Sequence, residues 1–223
     1  MKWKIQLLAV VAALFAGGLR AETPPVVEVE GRIVRCPSTL MTGALGAVGV
    51  REEGAVLTGA QAKTVLNTLQ QGRAEFLDRP LVVSGSGVAA KSMSVAEFRF
   101  PVEFETNPRT GKQTPTVFEA RDVGTTVDYT PVVLPSGEVA LDILAERVRF
   151  REFRKDDAGR IKPVFSTSTA KGLASLPDGG TVVMRFSPDT LEEGPGEADK
   201  SGVAMFLFST ARIVPETEEG VEQ

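Results

Sequence analysis

The chain has 223 residues, a formal net charge of −4, no histidine and a single cysteine. The missing histidine excludes His-based general bases, Ser-His-Asp triads and imidazole metal ligands, and one thiol can form neither an internal disulfide nor a thiolate cage. An acidic balance argues against nucleic acid or anionic lipid headgroups as main partners, because both reward clustered Lys and Arg.

Lys2 and Lys4 precede an apolar run from Ile5 to Phe15, and Gly17-Gly18-Leu19-Arg20-Ala21 then supplies small residues. That order is a secretory signal peptide, expected over 1–21 with cleavage after Ala21. A membrane anchor would need roughly 20 apolar residues, and this run is shorter. Cys36 lies too far beyond the cut to be a lipidated first residue and is expected as a buried, structural thiol. The leader removes three basic side chains (Lys2, Lys4, Arg20), so the mature chain from Glu22 is more acidic still. Its length suffices for one domain, or two small ones, and an apolar core of that size needs no disulfide.

Val27, Val29 and Ile33 alternate with Glu28, Glu30 and Arg32, the period of a half-buried strand. Cys36 to Gly54 is rich in small residues and reads as a long loop or weak hairpin. A helix is predicted over 59–71. Thr58 is its N-cap, Gln61 completes a capping box, and Ala62, Val65, Leu66 and Leu69 share one face. Gly72 stands where a left-handed C-terminal cap is wanted.

Beyond the helix the pattern is strand. Pro80 to Ser84 is short and β-branched, and Phe98, Phe100, Val102 and Phe104 alternate with Arg99, Pro101, Glu103 and Glu105. Asn107 to Lys112 and Leu134 to Glu138 read as turns, with a strand around Val127 and Tyr129 between them. Val139, Leu141, Ile143 and Ala145 share a face, yet the next apolar residues are Val148 and Phe150. This parity flip predicts a β-bulge near Glu146-Arg147. Lys155 to Arg160 is a charged turn, Thr181 to Phe186 a strand, Ser187 to Gly202 an acidic loop and Val203 to Val214 a final strand. Residues 215–223 form an acidic tail expected to be disordered.

The motifs that could carry chemistry fail on context. Gly85-Ser86-Gly87-Val88-Ala89-Ala90 fits a loose dinucleotide fingerprint, but no helix follows to hold a pyrophosphate. Ser168-Thr169-Ala170-Lys171 and Lys200-Ser201-Gly202 match elements of serine acyl enzymes, but Gly172 and Pro177 deny the serine its helix. Gly111-Lys112-Gln113 lacks the remaining P-loop residues. Asp156-Asp157 and Glu192-Glu193 read as solvated loop charge. The reading is of a non-enzyme, with no catalytic, cofactor-binding or metal-binding residue and no cofactor.

The order of elements resembles the core domain of the bacterial secretins, the ring-forming proteins of type II and III secretion and of pilus systems. Val27 to Val34 resembles its opening strand, Leu57 to Gln70 its helix, and Phe76-Leu77-Asp78-Arg79-Pro80 a family element after it. Val123-Gly124-Thr125-Thr126-Val127-Asp128-Tyr129-Thr130-Pro131 with Gly137 to Ile143 carries the strongest likeness. Asp178-Gly179-Gly180-Thr181-Val182-Val183 is similar to the late strand and Met205 to Val214 to the closing one. The acidic loop after Ser187 stands where family members carry a segment rich in V-P-x-L-G, and the small periplasmic domains that usually precede the core are not among these residues.

The expected fold is α+β, predominantly antiparallel β, a secretin-like core over 22–214 with one capped amphipathic helix. The resemblance implies a structural protein of the outer membrane or periplasm, homo-oligomeric through β-edge pairing, assembling into or alongside a secretion channel with secretion-system components and no nucleic acid. A soluble periplasmic adaptor or binding module that kept the fold without channel activity is the alternative.

Overall fold

The computed structural model describes residues 24–51, 54–155, 161–191 and 202–215. The expected leader, the turn at Asp156-Asp157, the pairs Glu192-Glu193 and Lys200-Ser201, and the acidic tail lie outside these residues.

Alternation makes the first strand, β1 (Val26–Pro37), and its two faces are put to different uses. Val27, Val29 and Ile33 face one way and are buried; Val34 and Cys36 face the other and are buried as well. The expected loop after Cys36 is instead a helix, α1 (Ser38–Ala47). Pro37 at its N-cap, with φ −55°, suits helix entry. Met41, Ala44 and Leu45, at i, i+3 and i+4, bury one stripe against β1 and the second helix. Tertiary packing holds this helix, since Gly43 and Gly46 contribute little propensity.

After the short β2 (Val56–Leu57) comes α2 (Gly59–Gln71), at the expected bounds. Thr58 Oγ1 accepts from Gln61 N at 3.3 Å, and Gln61 Oε1 accepts from Thr58 N at 2.9 Å, closing the capping box. Gly72 does not take the left-handed conformation expected of it: its φ is −75°, and Arg73 carries the positive φ of 58°. A Cβ on Gly72 would lie 2.7 Å from the Leu40 methyls, so close approach of α1 explains the glycine.

Nine further strands follow among the described residues: β3 (Glu75–Asp78), β4 (Leu81–Gly85), β5 (Ala90–Thr106), β6 (Gln113–Val133), β7 (Val139–Lys155), β8 (Ile161–Leu176), β9 (Thr181–Arg185), β10 (Thr190–Leu191) and β11 (Val203–Val214). They form two antiparallel sheets. The first runs β2-β9-β11-β1-β3, with β4 also on β1; the second runs β10-β8-β7-β6-β5. The expected α+β, predominantly antiparallel class is what the chain adopts, with a second helix added. β1 pairs with β11 over its whole length, from Val26 opposite Val214 to Pro37 opposite Val203.

The first sheet is the middle layer of three. On one side α1 and α2 bury Val65, Leu69, Phe206 and Phe208 with Val34 and Met41. On the other, the near half of the second sheet buries Val127, Tyr129, Leu141 and Ile143 against Val29, Ile33 and Leu207. Two connections tie the sheets. Gly85-Ser86-Gly87 leads from β4 to β5, with Ser86 N donating to Pro25 O and Gly87 N to Pro131 O. Asp178 Oδ1, in the turn between β8 and β9, accepts from Ile213 N at 2.8 Å.

The joint between the layers is a tyrosine. Tyr129 has no exposed surface, and its hydroxyl meets Ser209 Oγ at 3.0 Å across the interface. It rests over Gly31, where a Cβ would lie 2.6 Å from the hydroxyl and 2.5 Å from Pro80 Cγ. Burial pushes the phenol up to about 12, the Ser209 hydrogen bond opposing part of the rise.

Candidate functional site

The second sheet outgrows the first, and the features with functional potential lie where it does. β7 explains the change. Val139, Leu141, Ile143 and Ala145 sit wholly buried on the first sheet; the same face then continues as Arg147, Arg149 and Arg151. The pairing of β7 with β6 and β8 is regular through Glu146-Arg147, so the expected bulge is not there. The parity flip in the sequence marks a change of covered face: past Ala145 the first sheet ends, and apolar Val148 and Phe150 point to the opposite side. The β7–β8 register does shift, between Phe150 and Glu152. That shift returns Phe153 to the Phe150 face, where their rings lie 5.0 Å apart.

The opposite side is covered by the β5–β6 hairpin. β6 pairs with β7 only from Gly124 to Val133, but with β5 along nearly its whole length. Gly124 marks the divergence. Its φ is +138°, and a Cβ there would come within 2.2 Å of Ser94 O, so only glycine fits. Beyond it the hairpin leaves the sheet and lays Phe98 and Phe100 on β7–β8. Phe98 stacks on Phe150 at 4.5 Å and meets Phe165 edge-on at 5.9 Å; Phe100 lies 5.8 Å from Phe165. The Arg121 guanidinium caps the group, 4.5 Å above the Phe165 ring.

On the arginine side, Asp189 is the hub. It accepts from Arg149, Arg151 and Ser168, and Arg151 Nε also donates to Ser166 Oγ at 2.8 Å. β10 brings Asp189 here by pairing Thr190-Leu191 with Ser166-Thr167. Arg147 Nη1 donates to Thr125 Oγ1 at 3.2 Å, while its Nε is closed off from solvent and lacks an acceptor, a state that costs about 1–3 kcal/mol. Burial, then the Arg149 charge, lowers the Arg147 pKa; Asp78 and Glu75 oppose this.

The sequence motifs meet the following surroundings. Ser168 and Lys171 lie on β8, a strand the sequence did not reveal, and three residues apart in a strand they face opposite ways. Ser168 is buried on Asp189 and Lys171 exposed, so the serine–lysine pairing of acyl enzymes is not formed. Gly85-Ser86-Gly87 is a link between the sheets, with Ser86 Oγ accepting from Val133 N at 2.9 Å. Gly111-Lys112 is the tip of the β5–β6 hairpin, where Gly111 has φ +67°. Cys36 is buried between β1 and the helices, and burial pushes its thiol up to about 11, away from a reactive thiolate. The arginine ladder, Asp189 and the phenylalanine stack were not foreseen as functional. The alternation of Arg147, Arg149 and Arg151 was the available signal, but the partner of Arg149 and Arg151 is about forty residues away and gives no local hint.

The second sheet also has exposed edges. Among the described residues no strand pairs with the outer side of β5, and β8 has only β10, with Ser187 beside Thr169. Between these edges stand four strands of 16 to 21 residues.

Residues 68–184, more than half of the chain, match the family Secretin, described as bacterial type II and III secretion system protein. The chain belongs to the secretin family. No curated protein matches the sequence significantly. Among solved structures, it is similar to the type II secretion system secretin GspD of E. coli K12, with 16% identity, a TM-score of 0.46, and coverage of 95% of this chain and 53% of that one. It is similar to the type II secretin GspD of enteropathogenic Escherichia coli at 14% identity and a TM-score of 0.45, covering 95% of this chain and 75% of that one. Likeness to the V. cholerae type IV competence pilus secretin PilQ is 12% identity with a TM-score of 0.46, covering 94% and 65%. The chain thus spans between about half and three quarters of these secretins. The family match begins in the last turn of α2 and runs to Met184 in β9, so it takes in β5, β6, β7 and β8, the four long strands of the second sheet.

No helix of the described residues is long and apolar enough to cross a membrane, which leaves a β-barrel crossing untouched.

Proposed function

We propose that this secretin is a structural, non-enzymatic protein that assembles with copies of itself through the edges of its second sheet, within or alongside a protein-secretion channel. One observation carries the reading: four long antiparallel strands end in edges, β5 and most of β8, that no strand of the described chain covers. Edges of that length invite another chain to pair, and closing a sheet around an axis removes them. Gly124 and the register shift at Arg151 supply the bends a curved wall uses.

The leader read over residues 1–21 directs the chain out of the cytoplasm, and the mature protein works in the periplasm or outer membrane with other secretion-system components. Membership of a family described as a secretion system protein supports this.

The test is expression of the complete chain followed by cell fractionation. The expected result is an N-terminus at Glu22 by mass spectrometry and a detergent-resistant multimer, visible as rings by electron microscopy. A monomer in the soluble periplasmic fraction would overturn the channel reading in favour of an adaptor.

A further inference from the structure

The outer edge of β8, on the side away from β7, is crossed at its centre by a short segment. Thr190 and Leu191 of β10 pair with Thr167 and Ser166. Ser187, just before them, closes on Thr169: its N–H donates to Thr169 O at 2.8 Å, and its hydroxyl accepts from Thr169 N at 3.0 Å. Elsewhere along this edge no strand of the described chain pairs with β8. A ladder of two residues holds weakly by itself. The hold is concentrated in Asp189, one carboxylate that accepts from Arg149, Arg151 and Ser168, and such charge-assisted bonds are the strong kind. Residues 187–191 are therefore a strap, pinned at one point across an otherwise uncovered edge. A strand pairing along all 16 residues of β8 would meet it at residues 166–169.

We propose that the strap is a place-holder: it occupies the centre of the β8 edge in the single chain and yields it to β5 of a second copy when copies join. The inference rests on the assembly proposed above and adds the step that admits the neighbour. Length decides the exchange. β5 has 17 residues, so it replaces the two ladder pairs of β10 with a long run of them. The contacts of Asp189 are what β5 does not replace, so their release sets the barrier. That release leaves no charge stranded, because the side chains of Arg149 and Arg151 are 32% and 41% exposed and water takes over. While the strap is in place the edge is broken into two short stretches, 161–165 and 170–176, and short edges resist indiscriminate pairing.

Locking the strap tests the proposal. Thr167→Cys combined with Thr190→Cys places two thiols on directly opposed residues of a ladder, within disulfide reach, while Cys36 is buried away from them. The mature protein is followed from monomer to detergent-resistant multimer. The oxidised double variant should form about tenfold less multimer than the same protein reduced. Asp189→Asn, which keeps the shape and loses the charge, should assemble about tenfold faster than the unchanged protein. In the monomer, hydrogen exchange of the Thr169 amide should rise about tenfold in Asp189→Asn, a readout that needs no second copy. If the double variant fails to fold, Asp189→Asn carries both remaining expectations. Equal multimer from the oxidised and reduced forms would overturn the strap and leave the ring standing. Assembly or Thr169 exchange unmoved by Asp189→Asn would do the same. No multimer from any form, the unchanged protein included, would overturn the assembly itself and the strap's part in it.

Discussion

The two halves of β7 obey the same alternation and meet opposite fates. From Val139 to Ala145 the odd positions are apolar and wholly buried on the first sheet. From Arg147 to Arg151 the odd positions are arginines, Arg147 and Arg149 lining a cleft and Arg151 reaching Asp189 at its edge, and the apolar side chains have moved to the even face. The strand is continuous across the change. What differs is which neighbour supplies the cover: a whole sheet near the base, a folded-over hairpin beyond it. A parity flip in a strand is thus evidence about the layers around it before it is evidence about its own backbone.

The comparison breaks most readily at its hinge. Gly124→Ala places a methyl within 2.2 Å of Ser94 O at a φ of +138°. A loss of about 4 kcal/mol or more is expected in urea unfolding, with the hairpin failing to seat on β7–β8. In the base, Ile143→Ala should cost about 3 kcal/mol, because a fully buried side chain leaves a cavity between two sheets that cannot close. In the outer half, Phe150→Ala removes a ring that is only partly buried in the aromatic stack, and about 1–2 kcal/mol is expected. Equal losses for Ile143→Ala and Phe150→Ala would show that the outer half is as firmly covered as the base.

The smallest effect belongs to the joint. Tyr129→Phe, which deletes one buried hydrogen bond to Ser209, should cost about 1 kcal/mol at neutral pH. Its sharper signature is alkaline. The folded state holds Tyr129 at about 12 against an ordinary value of 10.0, and Cys36 at about 11 against 9.0. Both groups are neutral when protonated, so their raised values add stability that is complete below the ordinary pKa and lost as pH rises through the folded one. Melting temperature should therefore begin to fall above pH 9 through Cys36 and steepen above 10 through Tyr129. Cys36→Ala should delay the onset, and Tyr129→Phe should flatten the decline between about 10 and 12.

Much of the fold was legible where one local signal sufficed. α2 announced itself through Thr58, Gln61 and the spacing of Ala62, Val65 and Leu69, all within four turns of chain. β1 and β11 were legible from alternation. α1 was not, because its buried stripe is only Met41, Ala44 and Leu45 among glycines and threonines, and it is the contact with α2 that makes it a helix. β8 was hidden for a related reason: Ser166-Thr167-Ser168-Thr169 is polar, yet Ser166 and Ser168 are buried because Arg151 and Asp189 satisfy them. The arginine cleft shares that cause. Its charged members, Arg35, Glu75, Arg147, Arg149, Arg185 and Asp189, come from β1, β3, β7, β9 and the segment around Asp189, and only pairing of the sheets assembles them.

The twelve-residue pairing of β1 with β11 also sets an order of events. The central pair of the first sheet joins the earliest and the latest strands of the described chain, so neither can find its place until Val214 has been made. Contacts this distant in sequence form slowly. A nascent chain therefore lacks its middle layer until β11 has been made, however early the sequence-local hairpins of the second sheet close.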